Sequence, residues 1–333
     1  MKAAFKRGLD VTLRDAELPA LRPEDIRLTV SACGICGSDL HVNPDEADQE
    51  GGFGHEVAGV VAEVGSAVQN LTVGQPVVLE SATACGRCAN CRNARQELCT
   101  DIQSFWFTQS FGMAEEMVTP AATAIPCDYL RPEVALLCEP LGVAIDLVRL
   151  AEIGPDNNVL LLGAGPIGLM ALALVHRAGA RRIFVSELAS RPARLALAGE
   201  FGADVIVDPQ ATPIETYDFG CPIDRILVTS PPPTLPGAFQ VATKGAILSF
   251  IGIGHGESAF CRFNVNDFHF KKLQLRASFA SPALFTPRAL QYLREGVVDG
   301  GALISHRFPL SQIAEAMRVA REDPGALKVV IQP

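Results

Sequence analysis

In this 333-residue chain, residues 158–168 read Asn158-Val159-Leu160-Leu161-Leu162-Gly163-Ala164-Gly165-Pro166-Ile167-Gly168. The run 159–162 is wholly apolar, as in a short strand that is buried on both faces. A Gly-x-Gly-x-x-Gly turn follows at once, and an apolar segment typical of a helix continues to residue 178. Because glycines let backbone amides approach a pyrophosphate at a helix N-terminus, this strand–turn–helix pattern predicts a dinucleotide-binding unit.

An acidic residue completes this signal. The next apolar run, residues 183–186, is followed by Glu187, nineteen residues after Gly168. A carboxylate at that strand end binds the adenosine ribose hydroxyls and repels a 2′-phosphate, which favours NAD over NADP. Arg191 and Arg194 follow closely and weaken this preference, although both also suit an ordinary helix surface. The predicted cofactor contacts, which include two residues at later strand ends, are Gly163, Gly165, Pro166, Ile167, Gly168, Glu187, Arg191, Thr229 and Ile251.

The pattern on either side of this unit predicts two domains. Strand-like and helix-like runs alternate up to residue 277, as in a doubly wound parallel sheet. The first 80 residues instead carry short β-like runs with glycines at the bends, and β-like residues return near 303–308. We therefore expect an α/β protein with a β-rich catalytic domain over 1–142, a Rossmann cofactor domain over 143–281, and a return to the first domain over 282–333.

Four cysteines form the most specific metal signal in the chain. They are spaced Cys85-x2-Cys88-x2-Cys91-x7-Cys99, within a lobe at residues 81–100 that also carries Gly, Asn and Arg. Four thiolates can close a tetrahedron around one zinc and leave no position for a substrate. The spacing therefore predicts a structural zinc lobe, and an iron–sulfur cluster is the competing interpretation.

A second group of metal ligands is divided between two glycine-containing turns. Cys36-Gly37-Ser38-Asp39-Leu40-His41 follows a β-like run, and Gly54-His55-Glu56 begins thirteen residues after His41. Taken singly, Cys36 suits a buried free thiol and His55 an ordinary turn histidine. Taken together, the thiolate, imidazole and carboxylate predict a catalytic zinc, which keeps one coordination position open. Glu139 follows an apolar run, where a carboxylate needs a partner that a metal would supply.

Composition and charge exclude several functional classes. A formal charge of −9 offers no basic face to nucleic acid. No apolar run is long enough to span a bilayer, and no signal-peptide pattern opens the chain, which predicts a cytoplasmic protein without a membrane partner. Ten cysteines in such a protein indicate metal binding rather than disulfides.

Taken in order, these motifs resemble those of the zinc-dependent medium-chain dehydrogenase/reductase superfamily, and most of all its polyol branch, which includes sorbitol, butanediol and threonine dehydrogenases. The resemblance covers almost the whole chain. It is carried by the two turns, the four-cysteine lobe, Glu139-Pro140-Leu141, the glycine turn and His306-Arg307-Phe308-Pro309-Leu310. It implies a GroES-like catalytic domain, a Rossmann domain for NAD, two zinc ions per chain, and assembly into dimers or tetramers.

The resemblance also implies how the catalytic zinc is held. Cys36, His55 and Glu56 would bind the ion, and Glu139 would bind it directly or through a water. The reaction would transfer a hydride between a secondary alcohol of a small-molecule substrate and the nicotinamide, giving the ketone.

Four further residues take roles from the same resemblance. Asp39 would interact with the side of the His55 imidazole that faces away from the metal. Ser38 together with His41 would carry the hydroxyl proton to solvent. Arg276 would face the cofactor. Domain closure would exclude water from the cleft.

Two departures from the family pattern bear on the substrate. The acidic segment 43–50 lacks the apolar residues of many relatives, and it suits either a solvated loop or an electronegative rim. Glu116 stands where relatives usually carry Tyr or Phe. Both changes favour a polyhydroxylated or amine-bearing secondary alcohol.

Three alternatives stay open. A zinc-free quinone reductase would share the cofactor motif, but two zinc constellations argue against it. A biosynthetic NADPH-dependent reductase of a keto-sugar or cyclitol would run the reaction in the other direction. A redox-silent NAD-binding sensor would have no need of Cys36, Ser38, His41, His55 and Glu139 together.

Overall fold

The computed structural model describes residues 1–41 and 48–333. Residues 43–47 of the acidic segment, predicted as a solvated loop or a rim, lie outside these residues. Among the described residues the strands are β1 Lys2–Arg7, β2 Asp10–Asp15, β3 Asp25–Gly34, β4 Gly51–Gly52, β5 Glu56–Val64, β6 Pro76–Leu79, β7 Ala82–Thr83, β8 Gln103–Ser104, β9 Glu116–Pro120, β10 Ala124–Pro126, β11 Asn158–Leu162, β12 Arg182–Ser186, β13 Val205–Val207, β14 Ile223–Val228, β15 Ala242–Phe250, β16 Gln274–Ala277, β17 Ile304–Pro309 and β18 Lys328–Gln332.

Ten α-helices accompany these strands in the described part of the chain. They are α1 Ala89–Arg92, α2 Pro132–Ala135, α3 Cys138–Ala151, α4 Pro166–Arg177, α5 Pro192–Glu200, α6 Leu235–Val241, α7 Val265–Lys271, α8 Thr286–Arg294, α9 Gly300–Leu303 and α10 Ile313–Glu322. Over residues 1–41 and 48–333, none of the helices combines the length and apolarity that crossing a bilayer requires.

The chain forms two compact units. The first contains Met1–Gly142 and Ala280–Pro333, and the second contains Val143–Phe279. Each unit has its own hydrophobic core, with Ile26 and Leu79 fully buried in the first and Leu160 and Ile226 in the second. The roles assigned to these units, catalysis and cofactor binding, stay predictions.

The first unit is built on a seven-stranded sheet in the order β10-β6-β5-β3-β18-β17, with β9 also paired to β3. Both β5 and β18 run antiparallel to β3, one on each side of it. Gly34, the last residue of β3, therefore lies between Glu56 of β5 and Val330 of β18. This arrangement brings the end of β3 and the starts of β5 and β18 to one edge of the sheet.

The second unit contains a six-stranded parallel sheet in the order β13-β12-β11-β14-β15-β16. The strand order reverses between β11 and β14, which is where nucleotides bind in doubly wound sheets. The predicted α/β fold class, a β-rich GroES-like unit with a Rossmann unit, is confirmed.

Candidate functional site

The four cysteines of the predicted lobe meet in space. The Sγ atoms of Cys85, Cys88, Cys91 and Cys99 all lie within 4.8 Å of one another. Two thiolates on a tetrahedral zinc, with Zn–S bonds of about 2.3 Å, lie about 3.8 Å apart. The Sγ atoms of Cys88 and Cys99 are 3.9 Å apart. The donor set and its spacing fit one zinc ion with four thiolate ligands.

Backbone amides surround these sulfurs. The amide of Cys85 donates to Cys99 Sγ, and the amide of Cys88 donates to Cys85 Sγ, each over 3.3 Å. Backbone donors at Cys91 and Thr100 lower the pKa of Cys88 to about 6. Burial and hydrogen bonding to neighbouring thiols raise the pKa of Cys91 to about 12. The lobe therefore stabilises at least one thiolate before any metal is bound.

All ten cysteines lie in the described residues and all are free thiols. The four of the lobe thus remain available as ligands. Metal binding by these cysteines stays a prediction.

The second predicted ligand group also assembles. Ligand atoms of Cys36, His55 and Glu56 lie within 4.8 Å of one another, although Cys36 follows β3 and the other two lie at the start of β5. Sulfur, imidazole nitrogen and carboxylate oxygen are all zinc donors, so this set also fits the ion. The sheet pairing of Gly34 with Glu56 accounts for the meeting.

Three acidic side chains act on the pKa of the His55 imidazole. Burial alone would lower the pKa of His55, but Cys36, Glu139 and Asp39 together hold it well above its usual value. Asp39 is buried, and its carboxylate accepts a hydrogen bond of 2.9 Å from the amide of Cys36. Burial raises the pKa of Asp39, and the charge of His55 partly opposes that rise. Asp39 therefore supports the backbone of Cys36 and lies near enough to His55 for their charges to interact. Its role as the partner of His55 stays a prediction.

Glu139 lies in the first turn of α3. It is close enough to His55 and Glu56 for their charges to affect its pKa. Burial, reinforced by the charge of Glu56, raises its pKa, and His55 opposes the rise. Ser81 Oγ lies 3.4 Å from Glu139 Oε1. Among the described residues Glu139 is not part of the compact Cys36–His55–Glu56 group, so direct ligation by Glu139 stays a prediction.

The two predicted proton carriers lie on the open side of the turn. Ser38 and His41 are exposed, whereas Asp39 between them is buried. Lys6 Nζ donates to the backbone carbonyls of Asp39 and His41, over 2.5 and 2.8 Å, and so anchors the end of the turn. The role of Ser38 and His41 in proton transfer stays a prediction.

Two residues near this centre were missed by the sequence analysis. Lys328, at the start of β18, donates to both carboxylate oxygens of Glu56 over 2.6 and 2.8 Å. The signal was available, because Lys328 is a single charge at the start of the apolar run 329–331.

Trp106 is the other missed residue, since the aromatic run 105–107 was not assigned to the site. Its ring centroid lies 5.7 Å from that of His55, and it also packs on Phe105 and Phe111. The side chain remains 43% exposed, so it forms an aromatic wall beside the imidazole.

Glu116 does not lie at this centre. It pairs with Thr29 across β3 and β9. Thr29 precedes Gly34 by five residues, which is about 17 Å of strand. Glu116 is therefore not one of the grouped metal-ligand candidates, and its place beside the substrate pocket stays a prediction.

The glycine turn of the second unit has the predicted strand–turn–helix geometry. β11 ends at Leu162 and α4 begins at Pro166. A Cβ at Gly168 would lie 2.1 Å from the carbonyl oxygen of Gly163, so helix and strand approach each other only because this residue is glycine. A Cβ at Gly165 would meet no described atom within 4 Å, which leaves room for a ligand. This cradle fits a dinucleotide pyrophosphate at the start of α4.

Glu187 lies beside this turn at the end of β12. Its carboxylate accepts hydrogen bonds from the amides of Ala164 and Leu188, over 2.8 and 2.9 Å. Arg194 Nη1 lies 3.3 Å from the same carboxylate. Arg191 caps the start of α5. Hydrogen bonds from the backbone therefore fix the position of the Glu187 carboxylate, and Arg194 partly neutralises its charge.

Two other predicted cofactor residues occupy strand ends. Thr229 Oγ1 donates to the carbonyl of Gly163 over 2.8 Å, so its hydroxyl supports the glycine turn. The amide of Ile251 donates to Val228, which extends β15 toward the same edge. Contacts of Pro166, Ile167, Thr229 and Ile251 with the cofactor stay predictions.

Arg276 lies in β16 and contacts the end of α3 and the residue that follows it. Its guanidinium donates to the carbonyl of Leu150 over 2.8 Å and to Glu152 over 2.5 Å. The backbone carbonyl of Glu152 also accepts a hydrogen bond from Arg225 Nε. Arg225 lies in β14 and pairs with Val159, near the start of β11. Through the pairings of Ser249 and Leu227, the backbone of Arg276 is level with Leu161, one residue before the end of β11. Contact of Arg276 with the cofactor stays a prediction.

Comparison with known proteins adds to this geometry. The profile of the alcohol dehydrogenase GroES-like domain matches residues 22–129, and that of the zinc-binding dehydrogenases matches residues 166–294. L-idonate 5-dehydrogenase from Vitis vinifera is 31% identical, over 94% of this chain and 89% of its own length. Sorbitol dehydrogenase from Arabidopsis thaliana is 32% identical, over 94% of this chain and 90% of its own length.

A solved structure gives the same result. The crystal structure of 2R,3R-butanediol dehydrogenase from Bacillus subtilis superposes with a TM-score of 0.83 at 25% sequence identity. The superposition covers 100% of this chain and 99% of the butanediol dehydrogenase chain. The chain belongs to the zinc-dependent medium-chain dehydrogenases. Like other members of this superfamily, it is an oxidoreductase that interconverts an alcohol and its ketone, and the predicted family and reaction class are confirmed.

Proposed function

We propose that this medium-chain dehydrogenase oxidises a secondary hydroxyl of a polyol-like substrate, with NAD as the preferred hydride acceptor. The observation that carries the proposal is the meeting of Cys36, His55 and Glu56 within 4.8 Å, next to a polar turn with two exposed proton carriers. The second unit supplies a glycine cradle with an acid at the next strand end, which supports a dinucleotide cofactor.

The proposed function requires two zinc ions per chain, one catalytic and one structural. Cys36 and His55, with Glu56 or Glu139, would hold the catalytic zinc, and the four lobe cysteines would hold the structural one. When bound at the first site, zinc supplies a Lewis acid that lowers the pKa of the substrate hydroxyl. The lobe has four thiolates and leaves no open position, so it contributes to folding rather than to chemistry.

The chain's own residues would handle the proton and the orientation of the site. Ser38 would accept the hydroxyl proton and His41 would pass it to solvent, which their exposure supports. Lys6 and Asp39 fix the backbone of this turn, so both carriers stay within reach of Cys36. Trp106 would exclude water from one side of His55.

The preference for NAD rests on Glu187. Its carboxylate is held in place by two backbone amides at the turn, where it would repel a 2′-phosphate. Arg194 reduces that repulsion, so the preference for NAD is limited in size.

The names of the relatives bear on the substrate class. The expectation of an amine-bearing substrate, which rests on Glu116, stays a prediction. L-idonate and sorbitol, named in the two relatives above, both carry several hydroxyls, which supports a polyol. The reverse activity, reduction of a keto-sugar or cyclitol with NADPH, stays the second candidate.

Assembly and location extend the proposal. β16 lies at an edge of the parallel sheet, and Leu275 within it and Phe279 after it are exposed. An edge strand of this kind invites pairing with another chain, which supports a homo-oligomer, either a dimer or a tetramer. Ten free thiols support a reducing, cytoplasmic location.

A panel of polyols, amino alcohols and simple secondary alcohols, read by NADH absorbance at 340 nm, tests this function. We expect polyols to have the highest kcat/KM, and NAD+ to exceed NADP+ by about tenfold, which corresponds to roughly 1.4 kcal/mol. Metal analysis on the same preparation should give two zincs per chain. A protein with one zinc and no turnover of any alcohol would indicate the redox-silent binder instead.

A further inference from the structure

A buried hydrogen bond joins the end of β16 to α3 within the second unit. Ser278 Oγ donates to Asp146 Oδ2 over 2.6 Å, and the two residues are 9% and 5% exposed. The other carboxylate oxygen of Asp146 accepts a hydrogen bond from Arg149 Nη2 over 3.0 Å. Because both oxygens of this buried carboxylate have a donor, the network holds Ser278 in one position against the helix.

Strand register places Ser278 at the edge of the sheet that carries the glycine turn. Successive pairings across β16, β15, β14 and β11 align Ala277 with Leu162. Ser278 is therefore level with Gly163, the first residue of the turn. Its amide donates to the carbonyl of Phe250 over 2.9 Å and extends the pairing by one bond. Nucleotides bind outside the carboxyl ends of parallel strands, so residue 278 lies at the edge where the cofactor is expected.

The two halves of this sheet suit different halves of a dinucleotide. A doubly wound sheet consists of two mononucleotide-binding halves that meet where the strand order reverses. Strands β11, β12 and β13 form the half that carries the glycine turn and Glu187, the candidate partner of the adenosine ribose. The half formed by β14, β15 and β16 is then the one that suits the nicotinamide.

Little side-chain packing holds the chain beyond Ser278. Among the described residues β16 pairs with β15 alone, and Phe279, the next residue, is 75% exposed. The bond from Ser278 to Asp146 therefore fixes where the backbone leaves the sheet. Arg276 attaches β16 separately, through the carbonyl of Leu150. Loss of the Asp146 bond would thus release the end of the strand rather than the whole strand.

We propose that Asp146 is a positioning residue for the nicotinamide end of the cofactor, which acts through Ser278 by fixing the backbone at the end of β16. The carboxylate itself needs no contact with the cofactor. This inference rests on one part of the proposed function, the binding of NAD by the second unit.

Two ligands that differ at one end test the proposal, because ADP-ribose is NADH without the nicotinamide ring. Calorimetry would give the Kd of each ligand for zinc-loaded wild-type protein, Asp146→Ala and Ser278→Ala. In both variants the Kd of NADH should rise about tenfold, the effect of one lost charge-assisted hydrogen bond, while the Kd of ADP-ribose changes by less than about twofold.

Two asparagine variants separate positioning from a general loss of stability. Asp146→Asn keeps an oxygen that accepts from Ser278, so it should recover most of the affinity for NADH. Asp224 ties strands together at the opposite, amino-terminal edge of the sheet, where its carboxylate accepts from Asn157 Nδ2 over 2.7 Å. Asp224→Asn should lower the Tm and leave the Kd of both ligands unchanged.

Equal losses of affinity for NADH and ADP-ribose would overturn the proposal, because they would show a general disturbance of the second unit. Wild-type affinity for NADH in Asp146→Ala and Ser278→Ala would also overturn it. The same would follow if Asp146→Asn bound NADH as weakly as Asp146→Ala. Should Asp146→Ala not fold, Ser278→Ala removes the same bond with the loss of a single hydroxyl and decides the question. Wild-type protein that binds neither ligand would refute NAD binding itself, which is a different outcome from these.

Discussion

The two candidate metal centres of the first unit differ in how far apart their ligand residues lie in the sequence. The four lobe cysteines fall within fifteen residues, from Cys85 to Cys99, and backbone amides of the same segment bond to their sulfurs. The other centre joins Cys36 after β3, His55 and Glu56 at β5, and Lys328 at β18. A local centre can form wherever its segment folds, whereas an assembled centre depends on the pairing of three strands.

The difference also appears in the charges. The lobe neutralises its thiolates with backbone donors, which are present whenever the loop is formed. The assembled centre instead buries opposite side-chain charges against one another, which is costly unless every partner is in place. The lobe should therefore be robust and chemically silent, and the assembled centre reactive and easily disturbed.

The largest expected effect is that of Cys36→Ser. The hydroxyl is a poor zinc ligand, so the catalytic ion should be lost and turnover should fall by about 10³-fold or more, the equivalent of several kcal/mol of Lewis-acid stabilisation. Zinc content should drop from two to one per chain. Activity assays together with metal analysis check this, and retention of both zincs with full activity would remove the basis for the assembled centre.

Cys88→Ser probes the local centre in the same way. This variant should lose the structural zinc and open the lobe, so that trypsin cuts after Arg87, Arg92 or Arg95. Because no chemistry occurs at the lobe, kcat at low temperature should fall by less than about tenfold. Limited proteolysis and kinetics on one preparation test the contrast. A loss of activity as large as that of Cys36→Ser would abolish the distinction between the two centres.

Gly34→Ala tests whether strand pairing controls the assembled centre. The added Cβ would overlap Glu56 Oε2, so the free energy of unfolding should fall by about 1–3 kcal/mol and turnover should decrease with it. Gly37→Ala is the matched control, because a Cβ there would meet no described atom within 4 Å. Denaturant unfolding measures the free energy of unfolding of both variants. Equal values would show that the Glu56 side chain moves away from the added Cβ at little cost.

Glu80→Gln gives the smallest expected effect and concerns pH. Burial raises the pKa of Glu80, while hydrogen bonds from Thr286 and Thr83 partly oppose the rise. The protonated carboxyl therefore stabilises the fold at low pH, and that contribution is lost as pH rises through the raised pKa of the folded state. Glutamine keeps hydrogen-bonding capacity without the charge.

We accordingly expect Glu80→Gln to have a higher Tm than wild type at pH 8 and an equal Tm near pH 4. The exposed Glu200→Gln should change neither value. Thermal unfolding at the two pH values checks this. A difference of the same size at both would show that hydrogen bonding, rather than charge, controls the stability contributed by Glu80.

Much of the fold could be predicted because its signals are local. The wholly apolar run 159–162, the glycine turn and the acid at residue 187 belong to one supersecondary unit, and their spacing is fixed by the geometry of a strand and a helix. The four-cysteine lobe is local in the same sense. Such patterns depend only on residues that are neighbours along the chain.

Other features could not be predicted because they depend on strand register. Lys328 reaches Glu56 only because β18 and β5 pair on opposite sides of β3, 272 residues apart in the sequence. The position of Glu116 opposite Thr29 depends on register in the same way, since a short motif does not give the pairing of β9 with β3. The contacts of Arg276 with Leu150 and Glu152 likewise join segments more than 120 residues apart, so no local pattern gives them.

The sequence by itself therefore determined the fold class and predicted the glycine turn, the four-cysteine lobe and the candidate zinc donors. Only the tertiary structure decided which donors meet, which carboxylate is paired with a lysine, and which aromatic ring lies beside His55. Local spacing is set by covalent geometry, but a side-chain contact between distant strands is set by their register, which the packing of the whole sheet fixes.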